Sequence, residues 1–187
     1  MADGVKEANW EIRPERADAA AAIDALLARS FGPGRYAKSA YRLREGVRAV
    51  TGLSFVAIEA GMLRGSVRFW PVFVGAERTL LLGPLAVESE ERGRGIGLAL
   101  MARGIEAART AGWPSIILVG DEPYYARAGF ARLPPGRVKF PGPVDRSRIL
   151  GLSLQPNALL TMSGELRRAR LDESVCADGA PLGAATQ

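Results

Sequence analysis

The sequence predicts a mixed α/β domain with a central β-hairpin and one strand–loop–helix–strand unit. Hydrophobic residues make up 48% of the 187 residues, enough for one sizeable core. The apolar period is helical between residues 17 and 50 and becomes alternating after Ser54. A glycine-dense stretch, ERGRGIGLAL (91–100), then joins an apolar strand to a helical segment.

Taken in order, WEIRPER (10–16) reads as a short strand ending at Pro14. In ADAAAAIDALLARSFG, Ile23, Leu26, Leu27 and Phe31 share a helical face, with Asp24 and Arg29 off it. Asp18 is the expected N-cap of this helix, and Gly32 and Gly34 flank Pro33 at its end. A second helix is expected over 38–50, with Ala40, Leu43, Val47 and Val50 as its stripe. SFVAIEA is a short strand, and Gly61-Met62 a turn. In LRGSVRFWPVFV, Leu63, Gly65, Val67 and Phe69 alternate with Arg64, Ser66, Arg68 and Trp70, giving a strand with two unlike faces.

TLLLGPLAV (79–87) is apolar on both sides and reads as a central strand. Pro84 conflicts with that, because proline donates no ladder hydrogen bond; a bulge or splay beside Gly83 resolves it. Residues 95–111 form a helix with Leu98, Met101, Ile105 and Ala108 inward. PSIILVG (114–120) is a buried strand, EPYYARAG (122–129) a short helix ended by Gly129, and Phe130–Leu133 a further strand. Pro134, Pro135, Pro141 and Pro143 punctuate a loop before the strand RILGLSL (148–154), and TMSGELRRA adds one more short element. Residues 1–170 form a single domain in this reading, and 171–187 a flexible tail.

Composition narrows the function. Lys plus Arg is 25 against 20 for Asp plus Glu, a net charge of +5, which favours anionic ligands such as phosphates. The basic residues are scattered, which argues against nucleic acid. Cys176 is the only cysteine, so no internal disulfide forms and a reducing compartment is expected; it receives no role. The N-terminus has no apolar signal-like core, and no apolar run reaches the roughly 18–20 residues that span a bilayer, so a cytoplasmic location is expected and no membrane partner. Histidine is absent, which removes Ser-His and Cys-His nucleophile pairs and the usual metal ligand; no metal is expected.

The glycine stretch invites an anion. First-turn helix amides have no partner within the helix, and glycines let backbone approach a phosphate closely. A Walker loop fails, because Leu98 and Ala99 follow the last glycine where Lys and Ser or Thr are required. The dinucleotide pattern G-x-G-x-x-G fails as well, since its third glycine would fall on Leu98 or Leu100.

RGRGIG matches the R/Q-x-x-G-x-G/A signature of the GNAT superfamily of N-acetyltransferases, with Arg92, Gly95 and Gly97 at its fixed positions. YYARAGF resembles that family's Tyr-x-x-x-Gly-Phe element, with Tyr125, Gly129 and Phe130 in register. GPLAV and GDEPYYARAGF are similar to its YhbS-like bacterial subgroup. The resemblance covers about residues 10–155. It implies a mixed central sheet, mostly antiparallel, with one splayed parallel strand pair and flanking helices.

The resemblance also implies a ligand, acetyl-CoA. Its pyrophosphate would lie on the backbone of Arg92, Gly93, Arg94, Gly95, Ile96 and Gly97. Its pantetheine arm would run between strands 79–87 and 114–120, bonded to backbone at Leu85, Ala86 and Val87. Tyr125 matches the position that donates a proton to the leaving thiolate. A phenol stays protonated at neutral pH and suits that task. Tyr124, about 100° around the helix, would face elsewhere. Glu88, Asp121, Glu122 or a water could accept the amine's proton. Arg64 and Arg68, with Arg35 and Lys38, could make a cationic acceptor groove, and Trp70 and Phe73 could wall it. No activated Cys or Ser offers a covalent route, so the expected reaction is direct attack by a primary amine of a small molecule or peptide in a ternary complex. The rival reading is a catalytically silent acyl-CoA-binding sensor or scaffold. A homodimer, with RILGLSL pairing or packing between subunits, is a further expectation.

Overall fold

The computed structural model describes residues 9–34 and 39–169. The expected tail 171–187, Cys176, Arg35 and Lys38 lie outside the described residues. The strands are β1 (Trp10–Pro14), β2 (Phe55–Glu59), β3 (Met62–Val74), β4 (Glu77–Val87), β5 (Ser115–Val119), β6 (Ala131–Arg132), β7 (Val138–Lys139), β8 (Ile149–Ser153) and β9 (Gly164–Arg168). The helices are α1 (Ala20–Phe31), α2 (Ser39–Arg42), α3 (Ile96–Thr110), α4 (Glu122–Tyr125) and α5 (Ala158–Thr161). The main sheet runs β1-β2-β3-β4-β5-β8-β6. All its neighbours are antiparallel except β4 and β5.

β3 is long enough to serve two partners along one edge. β2 pairs with its first half and β9 with Val72–Val74, while β4 runs along the other edge. β9 also pairs with β7, a second short parallel contact. β8 is paired on both edges inside the chain, with β5 and β6, so RILGLSL is not the free strand that subunit pairing would need.

The conflict at Pro84 is resolved by a bulge. Val67 faces Leu85 and Phe69 faces Leu82, so Gly83 and Pro84 stand together opposite Arg68. The Trp70 indole N–H donates to the freed Gly83 carbonyl at 2.6 Å. On its other edge β4 keeps register with β5 only at Leu80↔Ile116 and Leu81↔Ile117, after which the strands part. Thr79 and Ser115 close the joined end: both are fully buried, and the Thr79 hydroxyl donates to the Ser115 carbonyl at 2.9 Å.

Alternate residues of these strands feed opposite faces. Leu80 and Ile116 join Phe55, Phe69, Leu100 and Met101 in the cluster under α3. Leu81 and Ile117 join Val72, Ile149, Met162 and Leu166 in a second cluster. α1 adds a third, with Ile23, Leu26 and Leu27 against Val56 and Ala86.

Two expected details are corrected. Asp18 sits inside a short 3₁₀ turn (Ala17–Ala19), and Ala19 holds the N-cap position of α1 with no side-chain bond. The helix expected over 38–50 is one turn, α2, because Gly46 turns left-handed at φ +70° and Val50 leaves the helix pattern to donate to the Phe69 carbonyl. Leu43 and Val50 are both buried, but in different clusters, so their stripe does not mark one helix. No helix of the described residues is long and apolar enough to cross a membrane.

α3 lies close on the sheet at Gly104, where a Cβ would stand 2.3 Å from the fully buried Phe69 ring. Gly104→Ala gains about 1 kcal/mol of helix propensity, while forcing a methyl into a packed core costs typically 1–3 kcal/mol. The ring has no free direction, so overpacking wins, and chemical denaturation is expected to show a net loss of stability. Unchanged or higher stability would mean that α3 does not pack this closely.

Candidate active site

The site is built where β4 ends. Beyond Val87 the chain makes a 3₁₀ turn (Ser89–Glu91), passes through Gly93 and Gly95 at φ +84° and +83°, and enters α3 at Ile96. That left-handed backbone costs other residues roughly 1–2 kcal/mol each. A Cβ on Gly93 or Gly95 would meet nothing within 4 Å, so open space lies over these two residues. The first helical bond is Ala99 N–H to the Gly95 carbonyl, which leaves the amides of Ile96, Gly97 and Leu98 without partners inside α3.

A cleft of about 480 Å³ opens over these amides. Leu85, Ala86 and Val87 of β4 line it, with Arg92, Gly93, Gly95, Ile96, Gly97 and Leu98. Ser30 and Phe31 of α1, Glu91 of the turn, and Asp121, Tyr124, Tyr125 and Arg127 around α4 complete it. Tyr125 and every residue expected to hold the coenzyme line this cleft except Arg94. Its guanidinium is held by Glu59 at 2.7 Å and by Glu91. Arg64 reaches the same two carboxylates, at 3.5 and 3.4 Å. The four charges form an alternating ring that ties the glycine loop to β2 and β3, and the Arg94 hydrogen bond holds the Glu59 carboxyl below the usual carboxylate range.

Both tyrosines reach the cleft, which corrects the expectation that only one would. α4 is a single turn beside the cleft, and both of its tyrosines line it. The Tyr125 ring lies against Gly120, where a Cβ would sit 2.2 Å from Cε2. It meets Phe130 and Tyr124 edge-on, with ring centroids at 6.1 and 5.1 Å. Burial first, then the neighbouring Tyr124 and Asp121, push its phenol up to about 12. Tyr124 directs its hydroxyl at Gly97, 2.2 Å from where a Cβ would stand. The third glycine of the loop therefore answers to a side-chain contact, and the first two to backbone conformation. The doubled tyrosine in EPYYARAG was the only sign of this in the sequence.

The three acids weighed as proton acceptors all have cationic partners. Glu88 pairs with Arg29 at 2.5 Å, Glu122 with Arg132 at 2.6 Å and Asp121 with Arg148 at 3.2 Å. Asp121 alone of them lines the cleft, with its side chain largely exposed. Arg68 is closed by a two-pronged contact with Glu15, at 2.8 and 2.6 Å, so neither it nor Arg64 is a free groove cation. Phe73 packs under Arg167 of β9, away from the cleft, whereas Trp70 stands at the β4 bulge. One arginine that the sequence reading passed over, Arg44, lies beside that bulge: its Nη2 is 3.1 Å from where a Cβ on Gly83 would sit.

Comparison with known proteins agrees with this geometry. The profile of the Acetyltransferase (GNAT) family matches residues 20–132. The uncharacterized N-acetyltransferase YhbS of Escherichia coli (strain K12) is 36% identical over 121 residues, 64% of this chain and 72% of that protein. The crystal structure of Escherichia coli YhbS in complex with CoA matches with a TM-score of 0.74 at 30% identity, covering 86% of this chain and 90% of that one. A GNAT family acetyltransferase from Brucella melitensis in complex with acetyl-CoA matches with a TM-score of 0.66 at 28% identity, covering 86% of this chain and 96% of that one. With the glycine loop at the head of α3, the parted β4–β5 pair and the tyrosine element at its mouth, this chain belongs to the GNAT acetyltransferase family.

Proposed function

We propose that this protein is an acetyl-CoA-dependent N-acetyltransferase that acetylates a primary amine by direct attack in a ternary complex. The observation that carries the reading is the cleft at the end of β4, which has the unpaired first-turn amides of α3 and the Tyr125 phenol in its lining. The fit to the coenzyme is supported by open space over Gly93 and Gly95 and by the positive end of a 15-residue helix. The CoA and acetyl-CoA bound to the YhbS and Brucella melitensis structures support it as well.

The roles follow. The amides of Ile96, Gly97 and Leu98 would hold the pyrophosphate, with Arg92 beside them, and backbone of Leu85, Ala86 and Val87 would align the pantetheine arm. Arg94 would act indirectly, by bracing the loop through Glu59 and Glu91. Bound there, acetyl-CoA supplies the acetyl group as a thioester. The amine nitrogen would bond to the acetyl carbon as the carbon–sulfur bond breaks, and the Tyr125 hydroxyl would give its proton to the departing thiolate and take one back from solvent. The amine's own proton leaves to water. The same reading has residues 1–170 acting as one domain in the cytoplasm.

Three outcomes are expected. Gly97→Ala drives a methyl into the Tyr124 hydroxyl and crowds the α3 amides, so CoA binding measured by calorimetry weakens about tenfold, or about 1.4 kcal/mol. If this variant binds CoA as tightly as the wild type, the loop is not the pyrophosphate site. Tyr125→Phe lowers kcat ten- to a hundredfold while CoA affinity stays within about twofold; unchanged kcat would remove Tyr125 from the chemistry and favour a silent binding module. The third outcome concerns pH. A donor must be protonated, and Tyr125, raised to about 12, loses its proton only in strong base. The rate should therefore climb as the amine deprotonates and show no falling limb below about pH 10. A fall near pH 8 would assign the proton to another group.

A further inference from the structure

Arg44 is the cation that the surrounding structure leaves unanswered. The other half-buried arginines have carboxylate or carbonyl acceptors: Arg64 has Glu59 and Glu91, Arg68 has Glu15, Arg78 has the Gly112 carbonyl, and Arg137 has the carbonyls of Leu159 and Leu160. Arg44 has none among the described residues, and its buried Nε has no hydrogen-bond acceptor. Burial pulls its guanidinium down to about 10, and the only charged side chain that adds to this is Arg68. Trp70 lies beside it with the ring centroid 6.0 Å from Cζ, too distant a contact to replace an anion. An unpaired buried cation is costly to any fold.

Its location is informative. Nη2 lies against Gly83, where a Cβ would stand 3.1 Å away, and Gly83 is two residues before the cleft-lining Leu85. The charge of Arg44 is close enough to Tyr125 to oppose the rise in its pKa. The guanidinium thus sits beside Gly83 where β4 leaves β5, two residues in from the cleft lining at Leu85 and within electrostatic reach of the proposed proton donor. A planar fork of N–H donors with one buried, unused donor matches a carboxylate or phosphate, which it can grip with two hydrogen bonds.

We propose that Arg44 receives the anionic group of the acetyl acceptor, so that the preferred acceptors are amines bearing a carboxylate or phosphate. The proposal rests on the acetyltransferase reading above. It makes Arg44 a specificity-determining residue that touches substrate, and Gly83 the residue that leaves room for it.

Matched amine pairs test it: β-alanine against β-alaninamide, and O-phosphoethanolamine against ethanolamine, each with acetyl-CoA and released thiol as readout. The wild type is expected to favour the anionic member of at least one pair by about tenfold or more in kcat/KM, and the favoured pair identifies the anion. Arg44→Met should bring that ratio close to one by raising KM for the anionic amine, and Arg44→Lys should keep part of it. Arg44→Met should melt no lower than the wild type, since it removes an unpaired charge. Equal kcat/KM within both wild-type pairs, a preference that survives Arg44→Met, or a large fall in melting temperature would overturn the proposal. Calorimetry of CoA-saturated protein with N-acetyl-β-alanine and N-acetylethanolamine phosphate keeps the two readings apart. If no amine is turned over, the enzymatic reading fails; binding that Arg44→Met abolishes would still support the anion site, and no binding by the wild type would sink it.

Discussion

The structure depends on one departure: β4 pairs with β5 for two residues and then leaves it. At the joined end the buried Thr79 hydroxyl and Ser115 carbonyl hold the strands together. A buried hydrogen bond contributes about 1 kcal/mol net, but leaving either group unpaired would cost about 1–3 kcal/mol, so the closed end is firmly fixed. At the open end Gly83 and Pro84 stand together opposite one residue of β3, and proline has no N–H to offer any neighbour. The strand keeps its hold on β3 while losing β5. A cleft forms without any loss of core, because Leu80 and Leu81 anchor both faces of the sheet just before the split.

Opening a sheet exposes backbone, and the loop beyond must be held where it is useful. Helical propensity does not do this, since Gly93 and Gly95 weaken the start of α3. The ring of Glu59, Arg64, Glu91 and Arg94 does. Isolated surface ion pairs contribute at most about 1 kcal/mol. Here the two acids are largely buried, each is shared by two arginines, and the partners come from β2, β3 and the loop itself. Breaking one contact leaves the others in place, which is what a loop with two left-handed glycines requires. The contacts with Glu59 and Glu91 also hold Arg94 away from the cleft lining.

Much of this was legible in the sequence where the signal was long and periodic. The two faces of β3, the buried β4 and β5, and α3 follow from apolar spacing, and Pro84 announced its own bulge. Legibility failed where side chains far apart in sequence decide the outcome. The stripe Ala40–Leu43–Val47–Val50 fits a helix, yet Leu43 and Val50 serve different clusters, which no local pattern can show. Arg64 and Arg68 read as available cations because Glu59, Glu91 and Glu15 meet them only in the fold. Arg44 went unnoticed for the converse reason: a lone arginine in a polar stretch gives no sign that its Nε will be buried without a partner. Nor does local helical geometry show that Tyr124 and Tyr125 both line the cleft, since that depends on how α4 sits beside Gly97 and Gly120.

The absence of histidine joins these features into one chemical argument. A chain with no imidazole has no side chain that both gives and takes a proton near neutral pH. Tyr125, buried and raised to about 12, can only give one there. Glu88 and Glu122 are tied to arginines outside the cleft lining, and Asp121 is largely exposed and paired with Arg148. With Tyr125 as the proposed donor, the acids in the cleft lining, Asp121 and Glu91, are both already paired with arginines. Such a site suits a reaction in which the nucleophile sheds its proton to solvent before attack and the enzyme's contribution is alignment and protonation of the leaving thiolate. An amine held close to a buried guanidinium is also easier to deprotonate, because a nearby cation disfavours the ammonium form. Arg44, placed beside Tyr125, would then serve the reaction twice: by gripping the acceptor's anionic group and by lowering the pKa of its amine.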